Sequence, residues 1–174
     1  MARTYQGDWR KALTTASTAT AFTAKIPTTT KPANDGVVDL LDTDLGESSG
    51  TFVPSLMQVM PYCANGDGET FDMRVWGWSK YDSGGTRYWI PIMIAEFNVV
   101  VGDIGAVFNA VAFIADTLTL ADGDADTLVV STANNVSAYA VIDLMGSELV
   151  EFDFDRDAGA SASANDNCLY KFVN

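Results

Sequence analysis

Three stretches of this chain carry side chains of a type and spacing that chemistry uses. Gly46-Glu47-Ser48-Ser49-Gly50 has the G-x-S-x-G form of a nucleophile elbow, in which a strand-to-helix turn lifts a serine toward a histidine base. The chain contains no histidine, and the flanks do not read as strand and helix, so a serine hydrolase is excluded. Asp122-Gly123-Asp124-Ala125-Asp126 opens like a calcium loop. An EF-hand needs glycine at its sixth place and glutamate at its twelfth, where this chain has Thr127 and Ala133. Ca2+ held by Asp122, Asp124 and Asp126 therefore needs another loop geometry, and the alternative is a solvated acidic turn.

The third stretch runs from Leu149 to Asp157 and has the cleanest alternation in the chain. Val150, Phe152 and Phe154 fall on one side of a strand, and Glu151, Asp153, Asp155 and Asp157 form an acidic ladder on the other. Carboxylates two residues apart repel, so water, a cation or a basic partner surface must answer them. Glu69, Glu96 or Glu148 beside a tryptophan platform would suit a glycosidase, but sequence does not set the separation of two carboxylates. Two distant cysteines and no histidine remove the common zinc sites and most general-base designs. There is no phosphate loop or dinucleotide fingerprint. No enzyme activity and no cofactor are expected.

Charge is the strongest compositional statement. The formal net charge of −13 disfavours nucleic acid and anionic membranes as partners. Residues 1–33 hold Arg3, Arg10, Lys11, Lys25 and Lys31 against the single acid Asp8, whereas the remainder holds five bases against twenty-two acids. A basic leader on an acidic body suggests attraction between the leader of one copy and the body of another, or between the body and a basic partner. No apolar h-region follows Met1, so a cytosol-like compartment is expected, with Cys63 and Cys168 as separate buried thiols. Tyr88 to Ala115 is apolar, but Pro91, Glu96, Asn98 and Asp103 interrupt it, so a membrane span is rejected.

These residues must be positioned by strands. The chain centres on Glu69 to Val101, two β-type runs joined by a turn at Lys80 to Gly85. Trp76 and Trp78 have the parity opposite to Phe71, Met73 and Val75, so both fall on the second face of that sheet. This face is then either buried in its turn or an aromatic platform. Further strands are expected within 37–41, 52–62, 117–120, 128–130, 138–144 and 168–173, whereas 106–115 reads as a short buried helix or an irregular crossing segment. Residues 1–33, rich in threonine and alanine, read as an extended basic arm, and 34–174 as one domain. The fold class is all-β, an antiparallel β-sandwich or jelly roll with an extended N-terminal arm.

Phe71-Asp72-Met73-Arg74-Val75-Trp76-Gly77-Trp78, the Trp89-Ile90-Pro91 arm and the ending from Phe152-Asp153-Phe154 to Asn165 resemble small structural proteins of tailed bacteriophages, of the capsid decoration or cement type. The resemblance is one of style across residues 69–173, without a diagnostic motif. It implies a virion protein on the outside of the head, assembled in the host cytoplasm, often as a homotrimer, that clamps subunits of the major capsid protein. On that reading the arm, residues 2–32, reaches a neighbouring subunit and its deletion leaves a folded domain that no longer attaches. The alternatives are a tail or baseplate component that self-assembles into rings, and a carbohydrate-binding module stacking sugars on Trp76, Trp78 and Tyr81.

Overall fold

The computed structural model describes residues 8–15, 17, 19, 21–41, 54–64, 70–101, 111–116, 140–156 and 165–173, with the side chains of 62–64, 70, 98–101, 111–116, 140, 156, 165 and 166 left aside. Among the described residues there are nine strands and no helix: β1 (Arg10–Lys11), β2 (Val37–Asp39), β3 (Leu56–Ala64), β4 (Thr70–Ser83), β5 (Thr86–Val101), β6 (Val111–Asp116), β7 (Ala140–Asp143), β8 (Leu149–Arg156) and β9 (Asn165–Val173). They form two sheets, one four-stranded in the order β1-β9-β3-β7 and one five-stranded in the order β2-β8-β4-β5-β6. Every pairing is antiparallel. With β6 set aside as an extra edge strand, the remaining eight strands run first-eighth-third-sixth in one sheet and second-seventh-fourth-fifth in the other. This is the connectivity of a jelly roll, so of the two expected architectures the strand order selects the more specific.

The core lies between the sheets and follows from the period-two pattern. Phe71, Met73 and Val75 of β4 and Val150, Phe152 and Phe154 of β8 are buried against Met57, Val59, Ile142, Cys168, Tyr170 and Phe172 of the opposite sheet. Phe152 meets Tyr170 across the two layers with ring centroids 5.5 Å apart. Cys168 is a free, fully buried thiol, and burial pushes its pKa far up, which makes it inert. Pro61 and Pro91 lie within strands, at points where, among the described residues, β3 and β5 have a neighbour on one side only. A missing N–H is tolerated there.

Two expectations change. Residues 111–116 are neither helix nor irregular segment but a strand, paired with β5 from Val101↔Val111 to Glu96↔Asp116. The near-continuous apolar run of β5 comes from a register shift opposite Val75/Trp76, where Ala95 pairs with Val75 and Met93 with Trp76, leaving Ile94 over. The extra residue is a β-bulge, and beyond it the parity of the buried Phe97 and Ala95 passes to Ile92, which is exposed, and Ile90, which is half-buried. The strands expected within 117–120 and 128–130 lie outside the described residues.

Composition suggests a boundary at 33/34, yet the leader contributes to the core on the near side of it. β1 pairs with β9, and Ala12 and Leu13 are 7% and 6% exposed within the main core cluster. Asn167 ties this corner by accepting the Leu13 N–H at 3.1 Å and donating to the Leu13 carbonyl at 3.1 Å.

Candidate functional site

The chemistry-bearing side chains converge on the outer face of the five-stranded sheet, where residues 14–35 lie across it as a strap. Asp35 closes the base of this loop. Its Oδ1 accepts the Thr14 N–H at 3.0 Å, and its Oδ2 accepts the Thr14 hydroxyl at 2.9 Å and the Thr15 N–H at 3.1 Å. The Thr14 N–H holds the Asp35 pKa below the ordinary carboxylate value, with a smaller opposing effect of burial. Gly36 follows with φ of +92°, and a Cβ there would stand 2.8 Å from Leu13 Cδ2 and 3.0 Å from the Phe152 carbonyl oxygen. Only glycine lets the two legs of the loop approach this closely.

The strap is fastened along its length. Thr28 and Trp89 exchange backbone hydrogen bonds of 2.7 and 3.1 Å, so the strap adds a one-residue bridge to β5. Arg74 lies 3.8 Å over the Phe22 ring and donates from Nε and Nη2 to Glu96 Oε1 at 3.0 and 2.9 Å. Lys31 pairs with Asp39 of β2. Burial opposes ionisation of Asp39, but the Lys31 ammonium and the Leu41 N–H outweigh it and keep its pKa low.

At the centre stands a buried cluster. Lys25 Nζ is 2.7 Å from Glu151 Oε1 and 3.4 Å from Asp153 Oδ2, with side-chain exposures of 8%, 5% and 12% for the three residues. Trp78 Nε1–H donates to Glu151 Oε2 at 2.9 Å, and the Thr23 N–H to Asp153 Oδ2 at 3.2 Å. Both Glu151 oxygens are thus engaged, and the Lys25 ammonium bridges two carboxylates. Trp78, Trp89 and Leu149, with Val37 against them, form a second small hydrophobic cluster on this face. Burying such a side chain stabilises by roughly 2–3 kcal/mol. Between strap and sheet remains a cavity of about 400 Å³ whose walls include Lys25, Ile26, Thr28, Pro32, Trp78 and Glu151.

The acidic ladder is therefore neither solvated nor open to a basic partner at its first two rungs, because Lys25 of the same chain answers Glu151 and Asp153. Asp155 lies further along this face with a contact of its own, and Asp157 is outside the described residues. Of the leader bases, Lys25 and Lys31 are engaged within the chain, Arg10 hydrogen-bonds Tyr170, Lys11 is exposed and Arg3 is outside the described residues. The expected arm reaching a neighbour is, over the described residues, a strap on its own domain. Of the two readings of the second face, burial holds at Trp78, 4% exposed, with Trp89 beside it at 5%, and of the platform residues only Tyr81, at 58%, stands open. Trp76 is half-buried, and its Nε1 has no acceptor among the described residues.

Glu96 is paired with Arg74, and Glu148 with Lys80, while Glu69, the pentapeptide at Ser48 and the acidic run Asp122, Asp124 and Asp126 lie outside the described residues. Among the described residues no group of three acids or cysteines is placed to hold a metal ion, and no helix is long and apolar enough to cross a membrane. Sequence reasoning missed Phe22, Thr28 and Asp35 as fasteners. The one signal for them was Asn34-Asp35-Gly36, read only as a turn. As a chemical device the arrangement is a clamp, since each acid or base at its centre is held by another group of the chain. Comparison with known proteins finds no family model, no curated relative and no solved structure that matches this chain.

Proposed function

We propose that this chain is a virion structural protein, a capsid decoration or cement protein that binds the outer surface of a phage head and stabilises contacts between major capsid protein subunits. The observation that carries the reading is a jelly-roll strand order in a chain where Lys25, Lys31, Arg74, Lys80 and Arg87 each pair with a carboxylate instead of lining up on a substrate. Jelly rolls serve above all in viral capsid and lectin domains, an analogy of architecture that gives a prior and not a site. The lectin branch needs an open aromatic face, and of Trp76, Trp78 and Tyr81, which would make it, Trp78 is buried, Trp76 half-buried and Tyr81 alone exposed. The capsid branch needs cohesion and an exterior for docking, and an internally clamped sandwich supplies both.

The test uses the intact chain. Deleting residues 2–32 removes β1, Ala12, Leu13 and the strap, so such a truncation would report on folding before it reported on attachment. Purified chain is instead added to heads assembled without it, and bound copies are counted by co-sedimentation and located by electron microscopy. Saturable binding at fixed sites on the head exterior is expected. Rings or stacks of the free protein, with no binding to heads, would overturn the reading in favour of a tail or baseplate component.

A further inference from the structure

The two outer faces of the sandwich are built differently. The strap closes the five-stranded one, whereas among the described residues no element lies across the four-stranded one. Alternation places Val59, Ile142 and Tyr170 inward, so Met60, Val141 and Leu169 face outward together with Lys11 and Lys171. Val141 is 51% exposed, and Trp9, just before β1, is 39% exposed. The Lys171 ammonium lies 4.9 Å from the centre of the Trp9 ring. That contact holds both side chains in place, so little of their freedom remains to be lost on binding.

The charges on this face are separated across it: Asp143 shares the outward parity of Val141 on the β7 edge, whereas Lys11 and Lys171 lie on β1 and β9, on the other side of β3. Lys25, Lys31, Arg74, Lys80 and Arg87 each pair with a carboxylate, and Arg10 is bonded to Tyr170. Arg10 aside, and Arg156, whose side chain is left aside, Lys11 and Lys171 have no carboxylate partner among the described residues, and the register sets them two rows apart on neighbouring strands. On a chain of net charge −13, two bases without a carboxylate partner among the described residues thus share one half-apolar face with an exposed indole.

We propose that Trp9, Lys11 and Lys171, with Met60, Val141 and Leu169 beside them, form a docking surface for an acidic protein segment in which carboxylates flank aliphatic side chains. The inference rests on the capsid reading for the identity of the partner, and it reverses the polarity that composition suggests: the acidic body meets its partner through its few free bases. Carboxylates pair with the two ammonium groups while aliphatic side chains cover the indole, Val141 and Leu169. Opposite charges at such a rim set orientation and on-rate, and the apolar centre holds the complex. Nucleic acid also offers anions and stacking, but a phosphate chain has no aliphatic side chains with which to cover Val141 and Leu169.

Two measurements test it. In the first, binding to heads is compared for Lys11→Glu, Lys171→Glu and Arg87→Glu, which carry the same charge change. Each lysine variant is expected to lose about tenfold in affinity or more, while Arg87→Glu, on the far hairpin, binds like the parent chain. Lys11 is exposed, so Lys11→Glu stays informative if the other variant fails to fold. In the second, a synthetic peptide of alternating aspartate and leucine is titrated into the labelled protein and followed by amide and indole resonances. Shifts are expected at Trp9, Lys11 and Lys171 that fade with added salt. If the parent chain ignores heads but the peptide moves these resonances, the capsid reading fails and the surface stands. Heads that bind both lysine variants as well as the parent, peptide shifts confined to other faces, or tighter binding of a single-stranded oligonucleotide at the same residues would each overturn the surface.

Discussion

Replacing Lys25 with methionine keeps an unbranched stem and removes the terminal ammonium, which isolates the ionic part of the clamp. Glu151 and Asp153 are then left with 5% and 12% of their side-chain surface exposed and without their cation. Breaking a buried ion pair from one side destabilises by about 3–5 kcal/mol, because the remaining charge has lost both water and partner. Here Glu151 keeps the Trp78 indole N–H and Asp153 the Thr23 N–H, so the lower end, about 3 kcal/mol, is the expected loss. For a chain of this size that corresponds to a fall in Tm of roughly 6–12 °C. Glu151→Gln leaves an acceptor for Trp78, and Lys25 keeps Asp153, so this variant should lose less. The double variant Lys25→Met/Glu151→Gln should be more stable than the sum of the two predicts, by about 1–3 kcal/mol. Urea unfolding of the four proteins at neutral pH measures all of these. A Lys25→Met chain within 1 kcal/mol of the parent, or a strictly additive double variant, would show that the strap is held by its backbone and apolar contacts and that the buried cluster contributes nothing specific.

Gly77 offers a steric test at the other side of the sheet. A Cβ added there would stand 2.0 Å from Ser147 Oγ and 3.1 Å from its Cβ, so Gly77→Ala should destabilise by about 1–3 kcal/mol. Combining it with Ser147→Gly should return part of the loss in the same urea titration, and no recovery would place the strain elsewhere. Acid should loosen the strap through Asp35. Its folded pKa lies below the unfolded value, so its contribution is complete above about pH 4 and is lost as pH falls through the folded pKa. Limited proteolysis should then cut within residues 14–35 at a rate that rises below pH 4 in the parent chain, whereas Asp35→Asn should be cut faster already at neutral pH and respond less to acid.

The parts that were legible in the sequence are those whose partners are close or whose pattern is unbroken. β4 and β8 alternate strictly, and each glycine of the β4–β5 turn takes the positive φ it was read for, +57° at Gly84 and +82° at Gly85. β5 hid its faces because the bulge at Ile94 exchanges inward and outward positions midway, so apolar residues occupy both parities. The strap was illegible for another reason. Its threonines have no period, and its fasteners join residues 130 and 126 positions apart, Thr23 to Asp153 and Lys25 to Glu151. The ladder itself was visible as a problem in need of a cation, but its solution lay in a lysine that looked like one charge among five in a basic leader. Lys11 and Lys171 were hidden similarly, since a free base is distinguished from a paired one only when the acids around it have been placed.

That the leader folds back on its own chain follows from what the outer face of the five-stranded sheet contains. Trp78, Trp89 and Leu149 point away from the core on the same side as Glu151, so this face would present two indoles and a leucine to water beside repelling carboxylates. A cover with apolar atoms and one well-placed cation answers both demands, and the leader, joined to the sheet at Gly36, supplies it at a far higher effective concentration than a second copy can. Two of the five leader bases, Lys25 and Lys31, are thereby used inside one molecule. What remains for a partner is decided locally: at physiological salt the Debye length is about 8 Å, so the acids of the strapped face contribute little to the potential at Trp9. A strongly acidic chain can therefore present a basic docking face, provided that bases elsewhere are paired, as Lys25, Lys31, Arg74, Lys80 and Arg87 are.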